Sequence, residues 1–241
     1  MQAPLSSQII ALIPAYNEQA HLGKVLRGVK EYLPVLVVDD GSTDQTGAIA
    51  EAGGAILLKQ TPNQGKGVAL RTGFRYALKH GYTGVLTLDA DGQHDPQEIP
   101  TFLEAYNKNH ADLIIGARDF STIPPVRRLA NTLARRSFSW ALGQPVLDNQ
   151  SGYRLISRRL LEMVLSSQEQ GFEFEMEMIV TCIEGGCQMS WVPIRTIYAG
   201  EKSHIQPVYH VINFVRVILQ TRRRFNTFRH PIPQEKQKSD Q

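Results

Sequence analysis

Two hydrophobic rhythms alternate along the first half of the chain. Unbroken apolar runs occur at residues 9–13, 35–38, 55–58, 85–88 and 113–115, each short enough to be a buried strand. Between them, apolar residues recur at helical spacing through a polar background: Leu22, Val25, Leu26, Val29 and Leu33, then Leu70, Phe74, Ala77 and Leu78, then Ile99, Phe102, Leu103 and Tyr106. Ser42 to Gln45 has capping-box spacing and predicts the start of a short helix. Asp95-Pro96-Gln97-Glu98 reads as N-cap, N1 proline and N3 glutamate of the next one. Strands apolar on both faces, alternating with one-sided helices, predict an α/β fold with a mostly parallel sheet and helices on both faces. Ligands in such sheets gather at the carboxyl ends of the strands. Residues 14–18, 39–42, 61–66 and 89–94 are therefore expected on one rim.

Composition narrows the class. With 241 residues, 42% hydrophobic and 20% charged, the chain suffices for one large domain and is not disordered as a whole. Only residues 230–241 read as a disordered tail. No run approaches the roughly 18 apolar residues of a spanning helix, and the N-terminus lacks a secretion pattern, so a cytoplasmic location is expected. The net charge of +3 is local: residues 222–241 carry +4 and the rest −1, which argues against nucleic acid as a partner. Cys182 and Cys187 fit neither a disulfide framework nor CxxC spacing and read as reduced thiols.

The strand ends carry the candidate chemistry. Asp89 and Asp91 follow the fourth run two residues apart, so an extended backbone points both carboxylates to one side, with Gln93 beside them. Two hard oxygen ligands suit Mg²⁺ or Mn²⁺, and such an ion would neutralise a diphosphate leaving group. Asp95 reads as a helix cap and His94 as a solvated loop histidine. Asp39 and Asp40 either accept hydrogen bonds from a nucleoside or cap the following helix. Asn63, Gly65, Lys66 and Gly67 form a glycine-lysine turn before a helix, suited to phosphate. The spacing is not that of a Walker loop, and GxGxxG, HExxH and GxSxG are all absent, which removes the usual anchors of dinucleotide oxidoreductases, zinc proteases and serine hydrolases.

In order, Ile13-Pro14-Ala15-Tyr16-Asn17-Glu18, Val38-Asp39-Asp40-Gly41-Ser42-Thr43-Asp44, Asn63-Gln64-Gly65-Lys66-Gly67 and Asp89-Ala90-Asp91-Gly92-Gln93 resemble the family 2 glycosyltransferases of the GT-A fold. Gly116-Ala117-Arg118 and Asn149-Gln150-Ser151-Gly152-Tyr153-Arg154 are similar to later segments of its dolichol- and polyprenyl-phosphate mannosyl- or glucosyltransferases. The resemblance spans about residues 8–204. It implies that Pro14, Ala15, Tyr16, Glu18, Asp40, Lys66, Asp89 and Ala90 bind the nucleotide of a nucleoside-diphosphate sugar, and that Asp89, Asp91 and Gln93 hold Mg²⁺ or Mn²⁺ on its diphosphate. It also implies inversion at the sugar carbon, and that Arg118, Arg128 and Arg154 meet phosphates of donor or acceptor. The group commonly carries a serine-lysine pair after its VPI-like segment; here Val192-Pro193-Ile194 leads to Gly200-Glu201-Lys202-Ser203-His204, where Lys202 and His204 would share that duty.

A lipid phosphate acceptor is already anionic, which makes a dedicated general base optional. A sugar hydroxyl would need one, and Glu173 and Glu175 are the candidates; the alternative for both is a solvated face opposite Phe172, Phe174 and Met176 in period-two alternation. Within residues 205–229, Val208, Ile212, Val215, Ile218 and Leu219 mark an amphipathic helix ending in Arg222-Arg223-Arg224. Such a helix either lies on an anionic membrane or packs on the domain. Arg127, Arg128, Arg135 and Arg136 form a second basic cluster, suited to phosphate, lipid or solvent. The expectation is thus a metal-dependent transferase, peripheral on the cytoplasmic membrane face, with residues 1–204 as its catalytic domain and a polyprenyl phosphate acceptor. The rivals are a hydroxyl acceptor and a sugar-nucleotide-binding module without turnover.

Overall fold

A computed structural model of the chain describes residues 8–119, 125–165, 173–195, 197 and 207–229. Strands β1 (Ile9–Ala15), β2 (Val35–Asp39), β3 (Ile56–Lys59), β4 (Gly84–Thr87), β5 (Leu113–Arg118), β6 (Arg154–Ser157) and β7 (Met189–Ile194) form one sheet, ordered β3-β2-β1-β4-β6-β5-β7. Each of the five apolar runs is a strand. Alternate residues of β1 supply the two cores: Ile10 and Leu12 pack on one face of the sheet, and Ile9, Ala11 and Ile13 on the other. This double burial is why the strands read as continuous apolar runs.

The helices are α1 (Leu22–Val29), α2 (Thr46–Ala52), α3 (Lys66–Lys79), α4 (Ile99–Asn109), α5 (Pro125–Leu142), α6 (Arg158–Val164), α7 (Glu173–Glu184) and α8 (Pro207–Arg229). Leu22, Val25, Leu26 and Val29 form the buried stripe of α1, as their spacing predicts. Asp95 accepts the Gln97 N–H at 3.0 Å, capping a short 3₁₀ turn that leads into α4. The helix expected from Ser42 instead begins at Thr46. Asp44 accepts the Thr46 N–H at 2.9 Å, while the Ser42 hydroxyl is engaged by the Asn17 N–H.

Two strands escape the apolar-run criterion. β7 has a mixed pattern with an exposed Pro193, which an edge strand tolerates. β6 opens on an arginine and is antiparallel to both neighbours, with Thr87 and Ile115 each in register with Arg154. Because β6 runs backwards, its amino end meets the carboxyl ends of β4 and β5. The loop before it therefore lies on the ligand rim. Residues 174–176 are not an extended alternation but part of α7, with Phe174, Glu175 and Met176 all buried.

Helix α8 packs on α5 and α7. Val217, Ile218 and Thr221 are buried, and Arg224 pairs with Glu177 at 2.8 Å and with Glu184 of α7. Among the described residues, no helix is long and apolar enough to cross a membrane. The expected tail, residues 230–241, lies outside the described residues.

Candidate active site

The segments after β1, β2 and β3 are joined by hydrogen bonds. Asn17, at a positive φ of 56°, donates its N–H to the Ser42 hydroxyl at 2.9 Å, and Glu18 donates its N–H to the Thr46 hydroxyl at 2.8 Å. Asp40 accepts the N–H groups of Gln64 at 2.9 Å and Gly65 at 2.7 Å, which pins the glycine-lysine turn beneath the end of β2. Gly41, at φ 82°, is required there: a Cβ would stand 2.8 Å from the Asn63 nitrogen. Asp39 caps the turn through Ser42 N–H at 2.9 Å, so both aspartates hold backbone. Tyr16 is exposed beside this cradle, Pro14 and Glu18 are half-buried, and Ala15 is buried.

The turn opens directly into α3, whose first residue is Lys66. Its ammonium lies 2.6 Å from Asp89 Oδ1 and 2.7 Å from Glu175 Oε1, joining the end of β4 to α7. Burial alone would depress Lys66, but the two carboxylates outweigh it and hold the pKa above that of ordinary lysine. Burial likewise works against the charge of Asp89, and Lys66 overcomes it, so that Asp89 stays well below the usual carboxylate range. His94 is not a solvated loop residue. It is buried, its Nδ1 accepts the Asp89 N–H at 3.0 Å, and its ring packs 5.0 Å from that of Tyr153. Burial pushes it down to about 4, leaving a neutral ring with its proton on Nε2.

The backbone does not stay extended through Asp91. It turns at Ala90 and Asp91, with Gly92 at φ 79°, and Asp91 Oδ1 accepts the Gln93 N–H at 2.9 Å. Strand alternation thus does not set the direction of Asp91 or Gln93; a tight turn does. Ala90 is buried inside it. The donor set fits a hard divalent ion in kind: two carboxylates, an amide carbonyl, and open surface on Asp89 (29% of its side chain). Among the described residues, no three His, Cys, Asp or Glu side chains form a protein cage. The fit is to an ion that takes part of its shell from substrate.

The far wall comes from the loop before β6. Arg118, at the end of β5, is gripped by the buried Asp148 through Nε to Oδ2 at 2.7 Å and Nη2 to Oδ1 at 3.0 Å. Asp148 Oδ1 also accepts the N–H groups of Gln150 at 3.0 Å and Ser151 at 3.1 Å. Gly152 closes the wall: a Cβ there would stand 2.8 Å and 3.0 Å from the Asp89 oxygens and 3.0 Å from Glu175 Oε1. Arg154 departs from its expected role. It is fully buried, and its guanidinium donates to the carbonyls of Ser151, Glu175 and Asn149, which ties the loop to α7 rather than presenting an open charge to phosphate. Arg128 is exposed on α5. Lys202 and His204, and the side chain of Glu173, lie outside the described residues.

Sequence reasoning missed Asp148, Gly152 and the inward role of His94. Asp148 directly precedes the recognised Asn149–Arg154 segment, and an acid beside so polar a turn was the available signal. Gly152 and His94 carry no local signal, because their meaning lies in contacts made after folding.

A mostly parallel sheet whose strand ends bring charged turns to one rim is the α/β arrangement in which ligands gather at that rim. The family model described as "Glycosyl transferase family 2" matches residues 10–165, and the chain belongs to that family. It is a glycosyltransferase. It is 33% identical to the polyprenol monophosphomannose synthase of Mycolicibacterium smegmatis, over 78% of this chain and 77% of that protein. It is 32% identical to the undecaprenyl-phosphate mannosyltransferase of Micrococcus luteus, over 79% and 84%. Its fold is that of the GT-A glucosyl-3-phosphoglycerate synthase of Mycobacterium tuberculosis, crystallised with Mn²⁺, UDP and phosphoglyceric acid, with a TM-score of 0.68, 21% identity, and coverage of 95% of this chain and 80% of that one.

Proposed function

We propose that this glycosyltransferase moves a sugar from a nucleoside-diphosphate sugar, with UDP or GDP as its nucleotide, to a polyprenyl phosphate at the cytoplasmic face of a membrane. Residues 1–204 form the catalytic domain in this reading. The observation that carries it is the ionised, partly open Asp89 at the end of β4, bound to Lys66 and in the field of Arg118. The names of the Mycolicibacterium and Micrococcus relatives support the acceptor class.

In this mechanism Pro14, Ala15, Tyr16 and Glu18 line the nucleoside cradle that Asp40 keeps closed. The amino end of α3 and Lys66 face the diphosphate, where backbone N–H groups and an ammonium favour anionic oxygens. Asp89, Asp91 and Gln93 would hold Mg²⁺ or Mn²⁺, which supplies charge neutralisation of the departing diphosphate. Arg118, locked by Asp148, places a fixed guanidinium near the same charge, so no side chain must reorganise as negative charge develops. An oxygen of the acceptor phosphate bonds to the sugar carbon while that carbon's bond to the diphosphate oxygen breaks. The electron pair leaves with the nucleotide, and no proton moves. Glu175 is then not required as a base, in keeping with its commitment to Lys66.

A panel of UDP- and GDP-sugars, each with Mg²⁺ or Mn²⁺ and a short polyprenyl phosphate, tests the reading by formation of lipid-linked sugar. Transfer only to hydroxyl acceptors, lost in Glu173→Gln or Glu175→Gln, would replace it with the hydroxyl reading. Donor binding without transfer or hydrolysis would leave a binding module.

A further inference from the structure

Two cations act on Asp89 at the end of β4, and they are held differently. Arg118 is clamped by Asp148 through two bonds, at 2.7 Å and 3.0 Å, so its guanidinium is fixed in plane and direction. Lys66 touches one oxygen of each of two carboxylates, Asp89 Oδ1 at 2.6 Å and Glu175 Oε1 at 2.7 Å, on a four-carbon stem that can swing while its backbone stays in place. That backbone is anchored just upstream, where the Gly65 N–H donates to Asp40 at 2.7 Å. Burial works against the ammonium's charge and the two carboxylates overcome it, so Lys66 sits between them as a cation. The place is shielded: the Lys66 side chain is 17% exposed and that of Glu175 4%. Gly152 backs both carboxylates, since a Cβ there would stand 2.8 Å and 3.0 Å from the Asp89 oxygens and 3.0 Å from Glu175 Oε1. His94 Nδ1 lies 4.0 Å from Asp89 Oδ2. Any ion bound to Asp89 thus stands within a few ångströms of the ammonium, and like charges so close in a shielded place repel strongly.

We propose that Lys66 is the site's own cation, which holds Asp89 until a donor diphosphate draws the ammonium away, so that a divalent ion gains Asp89 only together with the donor. Diphosphate oxygens facing the amino end of α3 offer the ammonium new partners, and its stem lets it turn to them without moving the helix. Glu175 tethers it as it turns: among the described residues, Oε1 of this buried carboxylate has no other hydrogen-bond partner, so the ammonium remains its counter-charge. The consequence is coupling. Metal and donor each bind more weakly alone than in the other's company, and removing the ammonium reduces that difference. The proposal rests on the reading of Asp89, Asp91 and Gln93 as the holders of Mg²⁺ or Mn²⁺ and adds the condition under which they do so. Its test reads metal binding rather than transfer, and its arms separate failure of the exchange from failure of the metal reading.

The test is Mn²⁺ binding to the full chain, followed by the electron paramagnetic resonance signal of the free ion and by the melting temperature. Without nucleotide, wild type is expected to bind Mn²⁺ weakly and Lys66→Met about tenfold or more tightly, with a larger rise in melting temperature on adding the ion. Lys66→Gln can still donate to a carboxylate but carries no charge; it should show the same gain and covers the case in which Lys66→Met does not fold. Adding Asp91→Asn to either variant should remove the gain, which ties it to this site. Arg75→Gln, an exposed arginine of the same helix, controls for net charge and should bind as wild type. UDP or GDP should tighten Mn²⁺ binding about tenfold more in wild type than in the lysine variants, once the ion held by free nucleotide is subtracted. Equal Mn²⁺ affinity of wild type and the lysine variants without nucleotide would overturn the exchange while leaving the metal reading in place. So would an equal gain in Arg75→Gln, or a gain that survives Asp91→Asn. No Mn²⁺ binding by any of the proteins, with or without nucleotide, would remove the metal reading and the exchange with it.

Discussion

The two walls of the site are built with opposite electrostatics. On the side proposed for the nucleotide, Asp39, Asp40 and Asp44 spend their carboxylate oxygens on backbone N–H groups of nearby turns. On the facing side, Asp89, Asp148 and Glu175 are matched with Lys66 or Arg118 across elements distant in sequence. A carboxylate holding amides shapes a loop. One held against a lysine ammonium keeps its charge available, because a cation that arrives with substrate can take the ammonium's place. The difference predicts that substitutions on the facing side act first on turnover and those on the nucleotide side first on loop stability and donor affinity.

The sharpest break in that pattern should come at the end of β4. Asp91→Asn is expected to lower kcat by about 10²–10³-fold, the scale of losing one preorganised charge-stabilising contact, with an unchanged melting temperature. Steady-state transfer at saturating Mn²⁺ measures the first and thermal unfolding the second. An unchanged rate would remove Asp91 from the metal set.

Glu175→Gln comes next and separates the acceptor readings. Lys66 keeps Asp89 as a partner, so the loss of one buried carboxylate should cost about 2 kcal/mol rather than the full cost of orphaning a buried charge. It should appear as a lower urea midpoint at constant slope. With a lipid phosphate acceptor, turnover should fall much less than in Asp91→Asn; an equal fall would mark Glu175 as a base for a hydroxyl.

Asp40→Ala tests the nucleotide wall. It leaves the Gln64 and Gly65 N–H groups unpaired, which should cost about 1–2 kcal/mol and raise the donor KM more than it lowers kcat. Gly152→Ala is the counterpart on the other wall. Its Cβ meets carboxylate ends rather than backbone, so about 1 kcal/mol of crowding should show mainly in kcat. If both variants changed the same parameter, the division between the walls would fail.

That division also marks how far the sequence could be read. The turns 14–18, 39–42 and 61–66, and with them 89–94 of the facing wall, were legible because each follows an apolar strand within a few residues, so all four could be placed on one rim before folding was known. β1, β2 and β4 are short and doubly buried, which leaves a clear signal. Asp89 apart, the facing wall was not legible from pattern. β6 begins with an arginine and runs antiparallel, so its preceding loop reaches the rim against the rule for parallel strands. Glu175 sat in what reads as strand alternation, yet a helix beginning at Glu173 carries it to Lys66, 109 positions away. Arg154 illustrates the same limit in reverse: its type suggests phosphate, and only burial shows that it ties carbonyls. Local pattern reports burial on an element; it does not report which distant charge the element will meet.

The smallest expected effect lies outside the site and tests whether cation pairing across elements matters in itself. Arg224 makes two carboxylate pairs, to Glu177 and Glu184, but its side chain is 40% exposed, so solvent screens both. Arg224→Gln should therefore cost only about 0.5–1 kcal/mol, seen as a small drop in melting temperature that added salt makes smaller still. Turnover with a soluble acceptor should be unchanged. A loss as large as that of Glu175→Gln would mean that α8 holds α7 in place for the site, and that the facing wall extends from the rim to the end of the chain's last described helix.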